Sequence, residues 1–266
     1  MESGLLSSQF EQSLRPPMGR RGLAATRNMA QPEDVLAGIA LFREVAPPQR
    51  RRIAQQVHLR RYAAGQLIVA HHDPDRDVYF VIEGRVRVTL FSEAGREIAF
   101  RDLEAGDTFG ELAAIDRKPR SANVLALTDS LLGSLDPDLF LGAALHHAPL
   151  GEALLRKLTG LVRSLSERVY EFGLPVPVRV GRELLRLARK GMISSSAARI
   201  RPVPKHADIA SRINTHREAV SRTLAQLQRL DIVRRGQGEL LVPDITRLRA
   251  WIESTELERA HGTPQG

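Results

Sequence analysis

The chain of 266 residues contains no cysteine, one tryptophan and only 5% aromatic residues. Without thiols there can be no disulfide, iron–sulfur cluster or thiolate zinc site, which fits a reducing cytoplasm. So few aromatics make a poor stacking platform for single-stranded nucleic acid. No apolar run approaches the roughly 18 residues that a membrane helix needs, so no membrane partner is expected. Residues 1–34 are rich in Arg, Ser, Gly and Pro, lack the apolar stretch of about 7 to 15 residues found in a secretory signal, and read as a flexible tail. The eight histidines, His71-His72 and His146-His147 among them, show no metal-ligand spacing. No Ser/His/Asp or paired-carboxylate constellation can be argued either, so neither a metal site nor an enzyme is expected.

What is present suits a soluble globular protein: 42% hydrophobic residues, and a length that permits two domains with separate cores. The net charge of +8 is unevenly spread. Residues 176–266 hold 17 basic and 9 acidic side chains, which leaves 22 of each in residues 1–175. A local basic surplus is what a phosphate-backbone binder needs, although a merely solubilising surface would give the same count.

Along the chain, the apolar positions from Val35 to Val57 suggest short helices broken at Pro47-Pro48. From Val78 to Asp107 the period becomes two, with Gly84, Gly95 and Gly106 spaced like turns, which indicates an all-β barrel or roll. Leu154, Leu158, Leu161, Leu165, Val169 and Phe172 then recur at helical spacing. They form a narrow stripe suited to packing between two helices, or within the chain. Arg156, Lys157, Arg163, Glu167 and Arg168 fall outside it. Gly173 and LPVP stop this helix and make a hinge. Beyond VGRELLRLARKG and a polar loop, SSSAARIRP, two helical patterns flank Ile213-Asn214-Thr215, where Asn can adopt the left-handed backbone of a tight turn. This is a helix-turn-helix, and RRGQGELLV after it reads as a hairpin with Gly236 and Gly238 at its tip.

Two stretches carry chemistry. In FGELAAIDRKPRSA (109–122), Gly110 permits close backbone approach, the Glu111 carboxylate accepts from vicinal hydroxyls, and the Arg120 fork matches phosphate oxygens. Ser121 adds a hydroxyl, and the small Ala113, Ala114 and Ala122 leave room for a sugar phosphate. The bland alternative is a surface Glu111–Arg120 ion pair worth less than about 1 kcal/mol. In HREAVSRTL (216–224), Arg217, Glu218, Ser221 and Arg222 share one face while Val220, Leu224 and Leu227 face a core. Arg can read guanine and Glu can accept from cytosine. Alternatively, Thr215 and Glu218 form a capping box and Glu218 only closes the helix.

FGELAAIDRKPRSA resembles the phosphate-binding cassette of cyclic-nucleotide-binding domains, and residues 35–246 are similar in order to the cyclic-AMP receptor (CRP/FNR) family of bacterial regulators. The resemblance implies an α+β chain. Its parts are a flexible tail (1–34), a nucleotide-binding β-roll of jelly-roll type (35–146), a dimerisation helix (147–173), a winged helix-turn-helix (174–246) and a C-terminal helix and tail (247–266). It implies cyclic AMP or cyclic GMP as effector. Gly110, Glu111, Leu112, Ala113, Arg120 and Ser121 would hold ribose and phosphate, and Ser166 would meet the base. It implies double-stranded DNA with an inverted repeat, contacted by Thr215, His216, Arg217, Glu218, Ser221 and Arg222. Homodimerisation through 147–173 and RNA polymerase as a further partner complete the expectation. Two positions depart from the family pattern: His72 stands where glycine is usual, and Leu165-Ser166 stands where cyclic-AMP receptors offer Thr-Ser to adenine. Two rivals stay open. One is a vestigial pocket in a regulator that is active without ligand or answers to another effector such as haem. The other is a nucleotide-sensing subunit that binds a protein, against which the REAVSR face and the C-terminal charge count.

Overall fold

The computed structural model describes residues 35–91 and 97–260, so the tail expected over 1–34 and the turn at Gly95 lie outside the described residues. The described residues form two compact units, one drawn from 35–90 and 100–159 and the other from 91, 97–99 and 160–260.

In the first unit a short 3₁₀ helix (Ala40–Phe42) ends before the prolines and α1 (Pro47–Ala54) opens on them, so the short helices do part there, with the prolines at the first helical positions. The strands follow: β1 (His58–Tyr62), β2 (Leu67–Val69), β3 (Val78–Glu83), β4 (Arg85–Phe91), β5 (Glu97–Glu104), β6 (Thr108–Phe109), β7 (Asn123–Ala126) and β8 (Ser130–Leu135). They make two four-stranded sheets, ordered β1-β8-β3-β6 and β2-β7-β4-β5. Tyr62, Val69, Val81, Val86, Phe109, Val124 and Leu132 come from strands of both sheets and pack into one cluster. A double-sheet roll results. Gly84 and Gly106 turn the chain at φ 87° and 97°, a backbone that L side chains rarely adopt. Between β6 and β7 lies the short helix α2 (Glu111–Asp116), and α3 (Pro137–His146) and α4 (Ala148–Phe172) follow β8. A second cluster joins Phe42, Phe80, Ala114, Phe140, Leu150 and Leu154.

That cluster corrects the expected stripe on α4. Leu154 is buried in the core, whereas Leu155, Val162, Leu165, Val169 and Phe172 are exposed. With the half-buried Leu158, they recur at spacings of three, four, three, four and three, the pattern of a two-helix seam. Two adjacent faces of one helix share the leucines, and apolar spacing alone could not divide them.

The second unit contains α5 (Val176–Lys190), β9 (Ala198–Ile200), α6 (His206–Arg212), α7 (Arg217–Arg229), β10 (Arg234–Arg235), β11 (Leu240–Val242) and α8 (Ile245–Ala260). Its core gathers Val180, Leu184, Ile209, Val220, Leu227, Leu248 and Ile252. The hairpin is present, and β9 adds a third strand to it in the order β10-β11-β9. The expected polar loop therefore contains a strand. Ala198 and Ile200 find apolar cover beneath the hairpin, a long-range pairing that local polarity conceals. α8 begins before residue 247 and belongs to this core through Leu248 and Ile252. Asn214 does take the left-handed conformation, at φ 50°. Arg179 fixes the turn by donating to the carbonyls of Ile213 (2.5 Å) and Asn214 (3.2 Å). An α+β chain with a β-roll, a long helix and a winged helix-turn-helix is what these parts make.

Candidate functional site

The cassette runs from the end of β6 through α2 to β7. Gly110 stands at its head with φ 87°, and a side chain there would lie 2.6 Å from Arg120 Nη1 and 2.7 Å from the Asp77 carbonyl. Glycine is thus required both by conformation and by space. The gap lets Arg120 lie flat beneath the cassette: Nη1 donates to Gly110 O (3.2 Å), and Nη2 donates to Asp77 O (2.7 Å) and to Asp75 Oδ2 (2.5 Å). The guanidinium also lies over the Tyr79 ring, 5.4 Å from its centroid, and Tyr79 stacks on Phe109.

Arg120 and Glu111 are 3% and 2% exposed, so neither belongs to a surface ion pair. Each finds another partner. Arg120 pairs with Asp75, and Glu111 Oε1 pairs with Lys157 Nζ at 2.9 Å. Burial is the largest influence on Asp75 and pushes its pKa up, but the hydrogen bond and charge of Arg120 outweigh it. With help from the Asp77 amide and the Tyr79 hydroxyl, they hold the carboxyl below its ordinary value. Neighbouring Asp77 moves the other way, raised by burial and by the charge of Asp75. Burial lowers Lys157 from the ordinary lysine value despite the adjacent Glu111. Two atoms of the clamp have no hydrogen-bond partner among the described residues: the acceptor Glu111 Oε2 and the donor Arg120 Nε, both buried.

The remaining cassette residues are divided. Ala113 is buried, while Leu112 and Ser121 are exposed. His72 takes φ 68°, the left-handed backbone that glycine usually supplies, and its amide donates to Arg120 O at 2.9 Å. The loop before β3 is thereby tied to the arginine's own backbone. Ser166 is exposed on α4, where its hydroxyl donates to Val162 O (3.0 Å), and its neighbour Leu165 is exposed too. Sequence reading did not identify Asp75 or Lys157. Both are 45 or more residues from the clamp residue they meet, and only the FGEL and PRSA spacing is local.

In the second unit, Arg217, Glu218, Ser221 and Arg222 are all exposed on one side of α7, and Val220, Leu224 and Leu227 are buried on the other. His216 is the residue that precedes the helix, and no side chain caps it. The capping-box arrangement of Thr215 and Glu218 is therefore not formed, and Glu218 remains turned outward. Thr215 is buried, 7% exposed, and its amide donates to Ala210 O. Beside this face, His206, Ser221, Gln228 and Arg235 border a cleft between α7 and the hairpin. Burial first, and then the positive charges of Arg217 and Arg235, hold the His206 imidazole below its ordinary value. Arg234 donates from Nε and Nη2 to the two carboxylate oxygens of Asp231 (2.7 Å each). Among the described residues no cluster of His, Asp or Glu is placed to hold a metal, and no helix is long and apolar enough to cross a membrane.

Comparison with known proteins gives the same division. The cyclic nucleotide-binding domain model matches residues 59–147, and the Crp-like helix-turn-helix domain model matches 178–251. The chain is 31% identical over 217 residues to the cyclic AMP receptor protein of Thermus thermophilus, covering 80% of this chain and 96% of that one. It is 26% identical over 218 residues to the CRP-like cAMP-activated global transcriptional regulator of Mycobacterium tuberculosis, covering 81% and 97%. In fold it is similar to a CooA mutant from Carboxydothermus hydrogenoformans, with a TM-score of 0.68 and 19% identity over 82% of this chain and 95% of that one. It is also similar to FixK2 from Bradyrhizobium japonicum, with a TM-score of 0.62 and 21% identity over 73% and 96%. A nucleotide-binding roll, a long helix and a winged helix-turn-helix thus follow one another as they do in these relatives, and the chain belongs to the cyclic-AMP receptor (CRP/FNR) family of transcriptional regulators.

Proposed function

We propose that this regulator is a cytoplasmic homodimer that binds cyclic AMP or cyclic GMP in the roll and reads an inverted repeat in double-stranded DNA with α7. The observation that carries the nucleotide reading is the pair of orphaned buried atoms in the cassette. Glu111 Oε2 is an acceptor, as a ribose hydroxyl requires. Arg120 Nε is a charged donor, as a phosphate oxygen requires. The amides around Gly110 to Ala113 and the Ser121 hydroxyl would add donors to the phosphate. Ser166 would meet the base from the long helix, and Leu165 beside it would offer only apolar contact, which weakens the basis for choosing adenine over guanine. Packing of two α4 helices along the exposed seam would make the dimer. For the ligand to act as a switch it must bind the DNA-competent state more tightly, by about 1 to 3 kcal/mol for typical coupling. RNA polymerase is the further partner implied for such a regulator.

A second reading has an observation in its favour. Asp75 already neutralises Arg120 and Lys157 already neutralises Glu111, an arrangement that would also suit a pocket no longer used. Calorimetry with each cyclic nucleotide separates the two. Wild-type protein should bind at least one of them, and Arg120→Ala should bind it at least about tenfold more weakly, because a charge-assisted contact worth roughly 1.5 to 3 kcal/mol is lost. Equal affinity in the two proteins would defeat the assignment, and binding of neither nucleotide would favour the unused pocket.

A further inference from the structure

Resting on the inverted-repeat reading above, we infer that Glu256 of α8 is a positioning residue that ties the end of α4 to the DNA-binding core and thereby fixes the half-site spacing the dimer accepts. The residues involved all belong to the second unit, which holds the last turns of α4 as well as α7. α8 is seated firmly there. Leu248 and Ile252 are buried in the core that also contains Leu227 of α7. α8 lies so close to α5 that a Cβ at Gly181 would come within 2.6 Å of Ile252 Cγ1 and 3.1 Å of Trp251 Cζ3. Glu256 follows Ile252 by four residues, one turn further along the same face. Both oxygens of its carboxylate are engaged: Oε1 accepts from the Tyr170 hydroxyl of α4 (3.1 Å), and Oε2 accepts from Arg182 Nη2 of α5 (3.1 Å). The Arg182 guanidinium in turn lies over the Tyr170 ring, 5.5 Å from its centroid. Three helices thus meet in one closed set of contacts.

The place of this set in the chain gives it its consequence. Residues 173–175 are the whole covalent link from α4 to α5, and the first of them is glycine. Such a link by itself leaves the angle between two helices adjustable. Leu174 of the link rests against the core by apolar contact, which has no preferred direction. The hydrogen bonds supply the direction: Tyr170 lies just before the link, Arg182 lies after it, and Glu256 reaches both from a helix packed into the core. The same turns of α4 carry Val162, Leu165, Val169 and Phe172 of the exposed seam. Where two such seams pack about a two-fold axis, the angle between α4 and the winged core sets how far apart the two α7 helices stand, and that distance is the spacing of the half-sites.

The test is the affinity of the full chain, by anisotropy, for its selected inverted repeat and for the same repeat with one base pair inserted between the half-sites, an insertion that turns one half-site by about 34° around the DNA axis. Wild type should discriminate against the inserted repeat by about tenfold or more, on the order of one mismatched base pair. In Glu256→Ala the discrimination should fall to about threefold or less, because a part-exposed pair is worth up to about fivefold and the dimer has two. The fall should come through weaker binding of the selected repeat, while affinity for the inserted one holds or improves. Tyr170→Phe, which removes only a hydroxyl and leaves α8 seated, should change the discrimination in the same direction, and the double variant should be no worse than Glu256→Ala alone. Undiminished discrimination in folded Glu256→Ala or in Tyr170→Phe, including an equal weakening on both DNAs, overturns the inference and leaves the inverted-repeat reading standing. A wild type that binds the two repeats equally overturns both.

Discussion

At the scale of single residues, the clamp depends on burial more than on charge. Arg120 and Glu111 are the only members of the cassette whose charged groups are almost wholly removed from water, and each is held by a partner distant in sequence. That they lie on one short stretch between β6 and β7 was legible from the spacing of FGEL and PRSA. Their resting partners were not, because sequence gives no measure of which distant Asp or Lys will approach. Asn214 and His72 show the same division. The short polar side chain of Asn214 pointed to a left-handed turn, which the φ of 50° bears out. His72 stood out only as a departure from the family's glycine, yet it takes the glycine conformation at φ 68°. Strain of this kind, about 1 to 2 kcal/mol for a non-glycine residue, is offset by surrounding structure such as the hydrogen bond to Arg120 O. The exposed arginines of α7 and of the hairpin are expected to act differently on DNA. Arg222→Ala should cost roughly 1 to 3 kcal/mol on the selected palindrome and much less on scrambled DNA. Arg235→Ala, in the hairpin, should weaken both alike and flatten the salt dependence. Anisotropy titrations at several salt concentrations would distinguish them, and an equal loss on both DNAs for Arg222→Ala would make α7 a backbone clamp.

At the scale of elements, α4 carries the heaviest demand. Its length, its end before Gly173 and its apolar stripe could be read from the sequence, but the stripe merged two faces. Leu154 and Leu150 turn toward the roll's core, and Leu155, Val162 and Val169 turn outward at 66%, 62% and 74% exposure. Only knowledge of what the roll covers could separate them. Exposure of that much apolar surface along a coiled-coil period is unfavourable for an isolated helix and favourable between two. Val162→Glu with Val169→Glu should therefore yield monomers at micromolar concentration in sedimentation while leaving the thermal transition of the roll in place. Leu154→Glu should instead unfold the roll, since it places a charge in the core. A wild type that sediments as a monomer would remove the seam from the account. The hairpin shows the converse limit. Its tip glycines marked the turn, but β9, which pairs with β11 from more than 35 residues away, was hidden in a serine-rich stretch.

At the scale of the whole molecule, the order of parts was legible from the change of period, from two to helical, and from the charge surplus confined to residues 176–266. Less legible was where one unit ends. α4 contributes residues to both units, and α8 is part of the DNA-binding core rather than an appendage. The account's central claim is that nucleotide in the roll governs how α7 meets DNA, and a coupling between two sites is measured by one ligand's effect on the affinity for the other. The direct measurement is the affinity of the full chain for its selected inverted repeat, with half-site centres about 34 Å apart, with and without saturating cyclic AMP or cyclic GMP. The account predicts that at least one nucleotide tightens specific binding by roughly 5- to 150-fold, and that Arg120→Ala abolishes the effect while keeping the basal affinity. Identical DNA affinity in the presence and absence of both nucleotides would contradict it.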